Sequence, residues 1–262
     1  METQNADSSR LAEDFAIAVR GVSKSFRSQS GSGVYALDRL DLTVRKGEFV
    51  VLIGSTGCGK TTLLNILGGL EGQDRGDVRF AAGLNREDSV AYVFQHYTLF
   101  PWRTLLRNVT FGLEMRGVGR LQRNHKAKKL LRDVGLSDFE NAYPHELSGG
   151  MRQRAAIAQA LAREPKILLM DEPFGALDDA TRKDLQQLLV GLWQDSGTTV
   201  LFVTHSIDEA VIMADRILVF SERPGRVIKD VTVDLPRPRD SLSSAFTDTF
   251  VEVRQAFYSR AG

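Results

Sequence analysis

Cysteine is almost absent: Cys58 is the only one in 262 residues. No intrachain disulfide can form, so the chain suits a reducing compartment and must be held by its core. Charge of a prevailing sign is also missing, since 34 Lys and Arg face 33 Asp and Glu for a net +1. A protein that grips nucleic acid mainly through phosphates carries a clear basic excess, so nucleic acid is not the expected partner. No apolar run approaches the length of a membrane span, and the start METQNADSSR lacks the basic-then-apolar pattern of a signal peptide. The expectation is a chain in the cytosol or peripheral on the cytoplasmic face of the cell (inner) membrane. Residues 1–14 are polar and without period, and read as a disordered leader. The full chain is 42% hydrophobic and 26% charged, an ordinary globular composition with room for one large α/β domain or two small ones.

The stretch that organises this chain is Gly54 to Thr61, GSTGCGKT, with the spacing G, any four, G, K, then S or T. It follows the apolar run Phe49 to Ile53, a buried strand, and precedes a helix over Thr62 to Leu67. Glycines 54, 57 and 59 leave the backbone free to turn successive N–H groups inward on phosphate oxygens. The helix start favours the same anion. Lys60 supplies a point charge for the terminal phosphates, and the Thr61 hydroxyl is the expected Mg²⁺ ligand. Cys58 reads as a small filler in preference to a nucleophile.

Other polar residues fall at the ends of predicted strands, where open α/β sheets place ligand contacts. Val90 to Phe94 ends in Gln95, a candidate for the metal or the attacking water. Lys166 to Met170 ends in Asp171 and Glu172, a costly pair to put beside a core without a purpose; the first would hold Mg²⁺ and the second activate water. Thr198 to Thr204 delivers His205 to the same edge, as a γ-phosphate contact. Upstream, Phe15, Ile17 and Val19 alternate as a strand would, and Leu40, Leu42 and Val44 do so again before a turn at Lys46 and Gly47. Phe26, placed just after the first strand, reads equally as core packing or as a ring stacked on a purine.

Between Gln95 and about residue 150 the pattern turns helical, with helices over Leu105 to Met115 and Leu121 to Val134. The cluster Arg120, Arg123, Lys126, Lys128 and Lys129 reads as a solvated helix face. Ser148, Gly149 and Gly150 then open a helix from Met151 to Arg163, in form a second anion site. Two such sites require either two phosphates or one phosphate held from both sides. Strands over Arg216 to Phe220 and Val227 to Leu235 and a tail helix over Ser244 to Tyr258 complete the chain.

Taken in order, GSTGCGKT, Gln95, LSGG at 147–150, ILLMDEP at 167–173, ALD at 176–178 and His205 resemble the ATP-binding subunit of an ABC transporter over roughly residues 15–235. The resemblance implies a P-loop NTPase of α/β class with a RecA-like parallel sheet core, an N-terminal antiparallel β subdomain carrying Phe26, and an inserted helical subdomain at about 96–150. It implies residues 236–262 as a tail. ATP and Mg²⁺ would be bound by Phe26 and by Gly54, Ser55, Thr56, Gly57, Cys58, Gly59, Lys60, Thr61 and Thr62. Thr61, Gln95 and Asp171 would serve the metal, and Glu172, His205, Gln95 and Lys60 catalysis. It further implies a head-to-tail dimer in which Ser148, Gly149 and Gly150 of one copy reach the γ-phosphate held by Lys60 of the other, with Asp178 across the same interface. A transmembrane permease would dock beside Gln95 to Trp102, with an external solute-binding protein as an indirect partner.

The stretches LFPW at 99–102, PFGALD and SERPGRV at 221–227 are similar to ATPases of the nitrate, sulfonate, taurine and bicarbonate importer group, relatives of which carry thiamine-precursor pyrimidines. Two departures stand out: Met151 replaces a glutamine common in such signatures, and Phe26 replaces a more usual tyrosine, keeping the stacking face. A non-transport ABC ATPase is the competing class. The short interval from Lys60 to Ser148 leaves no room for long coiled coils, each motif occurs once, and the presence of Glu172 argues against a binder that has lost catalysis.

Overall fold

The computed structural model describes residues 15–27 and 33–259; the expected leader at 1–14 lies outside the described residues. Strands β1 (Phe15–Arg27) and β2 (Gly33–Arg45) form a long antiparallel pair, and β3 (Phe49–Ile53) leads into helix α1 (Lys60–Gly68). Strand β4 (Arg75–Phe80), short α2 (Arg86–Ser89) and β5 (Val90–Val93) follow. Next come α3 (Leu105–Met115), α4 (Arg120–Asp133) and α5 (Gly149–Leu161). The chain returns through β6 (Ile167–Asp171), α6 (Asp179–Ser196), β7 (Thr199–Thr204), α7 (Ile207–Met213), β8 (Arg216–Phe220) and β9 (Val227–Thr232), and ends in α8 (Ser244–Tyr258).

Among the described residues nine strands make two sheets. The larger has the order β5-β6-β7-β3-β8-β9, parallel except for β9, which runs antiparallel to β8. The smaller, β2-β1-β4, is antiparallel. The α/β class expected from the sequence therefore holds, with the antiparallel layer at the N-terminal side and the helices α3 to α5 inserted between β5 and β6. Among the described residues no helix is long and apolar enough to cross a membrane.

A strand buried on both faces reads as an unbroken apolar run, because successive side chains point to opposite sides. In β3, Phe49, Val51 and Ile53 join one core cluster, while Val50 and Leu52 join another on the opposite face. Strands β6 and β7 divide the same way, Met170 and Phe202 to the first cluster, Leu169 and Val203 to the second. The second cluster takes in α1 through Leu63, Leu64, Ile66 and Leu67 and the small sheet through Ile17, Val19 and Leu42. A third cluster joins Leu105, Val109 and Leu113 of α3 to Ala127 and Leu131 of α4 and Ala155 and Ala158 of α5. It is a helical unit with a core of its own.

One expectation is corrected, and one helix goes beyond the sequence reading. Phe26 does not follow β1 but lies within it, paired with Val34. The ladder shifts register between Val19 and Val22 and again around Lys24, and such bulges break the period-two signal that marks a strand. Helix α6, 18 residues long, has no counterpart in the sequence reading, because its buried residues Leu185, Gln186 and Leu189 form a narrow stripe with a polar member. The basic helix α4 is solvated as expected, and three of its lysines are paired: Lys126 with Glu164 at 2.7 Å, Lys128 with Glu140 at 3.0 Å, and Lys129 with Asp133 at 3.3 Å. Exposed pairs of this kind contribute little stability.

Candidate active site

The glycine-rich loop runs from the C-terminal end of the central strand β3 into α1. Gly59 has φ 106°, and a Cβ there would lie 2.5 Å from the carbonyl oxygen of Ala36, so neither the turn nor the approach to β2 admits a side chain. Lys60 is buried, its ammonium donating to the carbonyls of Gly54 at 2.7 Å and Ser55 at 3.0 Å. The loop thus curls around its own lysine, with Cys58 buried beneath. The role of Cys58 in packing fits its reading as a filler.

A cavity of about 480 Å³ opens above the loop, lined by Phe26, Thr56, Gly57, Gly59, Lys60, Thr61, Thr62, Gln95 and Glu172. The cavity has therefore gathered Phe26 of β1, in the smaller sheet, with residues that follow β3, β5 and β6 of the larger one. Phe26 is 42% exposed, with Lys24 Nζ 5.2 Å from the ring centroid; a half-exposed ring on a cavity wall is available for stacking. Gly54, Ser55 and Cys58, also expected at the nucleotide, do not line the cavity. The cavity also includes Arg27, Val34, Ala36 and Arg223, none singled out by sequence. Arg223 belongs to the SERPGRV stretch, whose only legible signal was the likeness to one importer group.

Just below, the Thr61 hydroxyl donates to Asp171 Oδ1 at 3.1 Å. Asp171 is buried, and burial pushes its carboxyl above the usual range while the Thr61 hydrogen bond opposes the shift. A carboxylate short of countercharge beside a hydroxyl is an oxygen donor set that suits a hard divalent cation. Among the described residues no group of three or more His, Cys, Asp and Glu could hold a metal, so such a cation would need further oxygens from a phosphate. Mg²⁺ fits these residues on those terms.

Glu172 follows β6 with φ 41°, a left-handed conformation that a non-glycine residue holds only when its surroundings impose it. Its N–H donates to Val203 O at 3.0 Å, so β7 fixes the turn. The side chain meets His205, Nδ1 to Oε2 3.3 Å, and the imidazole is 59% exposed. Behind His205, the Thr204 hydroxyl donates to buried Glu209 at 2.6 Å and accepts from Ser206 N at 3.0 Å. Burial raises the Glu209 carboxyl, with the Thr204 hydrogen bond and nearby Arg182 opposing. Arg182 Nε lies 3.6 Å from Glu209, and its Nη2 donates to Leu177 O at 2.7 Å. This chain of contacts ties the histidine turn to the ALD segment and was not visible in the sequence.

The remaining candidates lie elsewhere. Ser148 caps α5, accepting from Met151 N at 3.3 Å. Asp178 caps α6, accepting from Thr181 N at 3.0 Å, and that backbone hydrogen bond holds its carboxyl below the usual range. Neither Ser148, Gly149, Gly150 nor Asp178 lines the cavity that holds Lys60. Two capped helix N-termini thus lie outside the cavity over the loop of the same chain.

A family model described as "ABC transporter" matches residues 37–175. The aliphatic sulfonates import ATP-binding protein of Bacillus cereus is 41% identical, over 92% of this chain and 95% of that protein. The taurine import ATP-binding protein of Rhizobium johnstonii is 44% identical, over 88% and 90%. An ABC transporter ATP-binding protein of Methanocaldococcus jannaschii is 49% identical, over 88% and 87%. Among solved structures, a dimeric ATP-binding cassette in a post-hydrolysis state bound to ADP and Pi matches with a TM-score of 0.73 and 34% identity, covering 84% of this chain and all of that one.

Proposed function

Because the chain belongs to the ABC transporter family of ATP-binding proteins and is an ATPase of that family, we propose that it powers import of a small sulfonate-like anion through a membrane permease. The observation that carries this reading is the likeness, over most of both chains, to import ATP-binding proteins for aliphatic sulfonates and taurine. Nitrate and bicarbonate share the small anionic character and remain in the same proposed class.

In this reading ATP lies in the cavity over the glycine-rich loop, its base against Phe26 and its phosphates on the loop amides and Lys60. Thr61, Asp171 and Gln95 would hold Mg²⁺, which supplies charge neutralisation on the phosphate oxygens when bound. Glu172 accepts the proton of the attacking water, and His205, touching Glu172, steers it. Ser148, Gly149, Gly150 and Asp178, outside the cavity of their own Lys60, serve the nucleotide of a second copy packed head to tail. The dimeric cassettes among similar structures support that arrangement.

The permease would dock beside the segment after Gln95. A cleft of about 640 Å³ there is lined by Leu70, Phe94, Phe100, Phe111 and Met115, and Trp102 beside it is 72% exposed. Exposed apolar surface of this kind suits a protein partner. The test is affinity purification of the tagged chain from membranes of its native host in mild detergent. Recovery of a multi-spanning permease, in a complex whose ATPase is stimulated by a solute-binding protein loaded with taurine or an alkanesulfonate, is the expected outcome. Recovery free of any membrane protein would overturn the transport reading.

A further inference from the structure

The loop between β8 and β9, residues 221–226, is fixed on the glycine-rich loop from outside. It is closed on itself by Ser221 N donating to Arg226 O at 2.9 Å and by Ser221 Oγ, which accepts from Arg226 N at 3.0 Å and lies 2.9 Å from Pro224 O. It is pinned to β2 by Gly225 N donating to Ala36 O at 2.9 Å and by an ion pair between Arg226 and Asp38. A Cβ on Gly225 would fall 2.2 Å from the carbonyl oxygen of Cys58, so only glycine allows this approach. From this rigid platform Arg223 donates through Nε to Gly57 O at 3.0 Å and lines the same cavity as Phe26, Lys60 and Thr61.

Arg223 has no carboxylate within ion-pair distance among the described residues, and no hydrogen-bond partner beyond Gly57 is found for its guanidinium among them. The guanidinium carries more donors than that one bond uses, and its planar fork matches phosphate oxygens. Lys60, folded onto two carbonyls of its own loop, offers one positive charge to a chain of several negative ones. We propose that Arg223 is a second cationic contact of the nucleotide's phosphate chain, delivered by loop 221–226 and held in place by Gly57. This inference rests on the ATP site read above. It adds to that site an element, the β8–β9 loop, that carries no part of the motifs built around Lys60. A platform this constrained leaves the arginine little freedom to lose on binding.

The test compares Arg223→Gln and Arg223→Lys with the wild type by calorimetric titration with ATP and with AMP. Glutamine keeps a donor for the Gly57 carbonyl and removes the charge, separating the brace from the phosphate contact. A hydrogen bond to a charged group implies that R223Q binds ATP about tenfold more weakly. AMP, with one phosphate, is expected to weaken less than about threefold, and R223K to bring the ATP-to-AMP ratio back toward the wild-type value. Since the readout is a ratio within one sample, a fraction of unfolded chain does not disturb it. Wild-type ATP affinity in R223Q, an equal loss for both nucleotides, or a ratio in R223K no better than in R223Q would overturn the proposal. A wild-type chain that binds neither nucleotide would overturn the site reading itself.

Discussion

Asp171 is buried, and its carboxylate accepts a hydrogen bond from the Thr61 hydroxyl. Burial raises its carboxyl in the folded state, so the folded chain holds that proton more tightly than the unfolded one. The stabilising contribution is therefore complete below the unfolded carboxyl pKa and is lost as pH rises through the carboxylate range. Glu209, raised by the same cause, acts in the same direction. Asp171→Asn removes the buried charge at neutral pH. Its nucleotide-free form is expected to melt a few degrees above the wild type, a shift of about 1 kcal/mol, with the advantage shrinking as pH is lowered. The same variant is expected to lose Mg²⁺-dependent ATP binding. Thermal melts at several pH values and titration with and without Mg²⁺ check both halves, and a variant less stable at neutral pH would contradict the account of burial. Strain at Glu172, φ 41°, belongs to the same pattern of local cost at a functional edge.

Helix α8 shows how an element far from the site is nonetheless part of the frame. Phe246 and Val253 are buried in the cluster that holds Phe49 and Phe202 of the central strands. The approach to the helix is fixed by Arg239, whose guanidinium donates to Val211 O and Ala214 O at 2.6 Å, the last carbonyls of α7, and to Val233 O at 3.1 Å. A cation at a helix C-terminus is favourable, and four carbonyl partners hold it although burial lowers its pKa to about 10. The tail is thus packed on the core. Phe246→Ala is expected to cost about 3–5 kcal/mol of stability, measured as a lowered denaturant midpoint, while a loss below about 1 kcal/mol would show that the helix only rests on the surface.

At the scale of the whole molecule the site is divided. The cavity, the Thr61 and Asp171 pair and the Glu172 and His205 contact lie together, whereas the capped starts of α5 and α6 do not line that cavity. On the proposed reading, one chain binds a nucleotide in the cavity and offers half a site at those helix starts, for a second copy to complete. Glu172→Gln removes the base and leaves the phosphate contacts in place. ATP binding is expected to persist while turnover falls by at least about a hundredfold, and Mg-ATP is expected to move the variant to a stable dimer in size-exclusion chromatography. Unchanged hydrolysis would remove Glu172 from its role, and a variant that binds ATP yet stays monomeric would refute the shared site.

Much of this protein was determined by the sequence alone. The glycine-rich loop, the polar residues at strand ends and the buried strands β3, β6 and β7 are legible because each depends on a local pattern: fixed spacing, or an apolar run imposed by burial on both faces. Helices α3 and α8 have the bounds their periodicity predicts. What resists reading depends on contacts between distant segments. Phe26 was misplaced because bulges in β1 erase the alternation that cross-strand pairing with β2 nevertheless maintains. Arg182, Glu209 and Arg223 are ordinary surface-type residues in sequence, and their partners Leu177, Thr204 and Gly57 acquire meaning only through the fold. Local chemistry fixes which residues can bind a phosphate; only the tertiary structure decides which others are brought within a hydrogen bond of them.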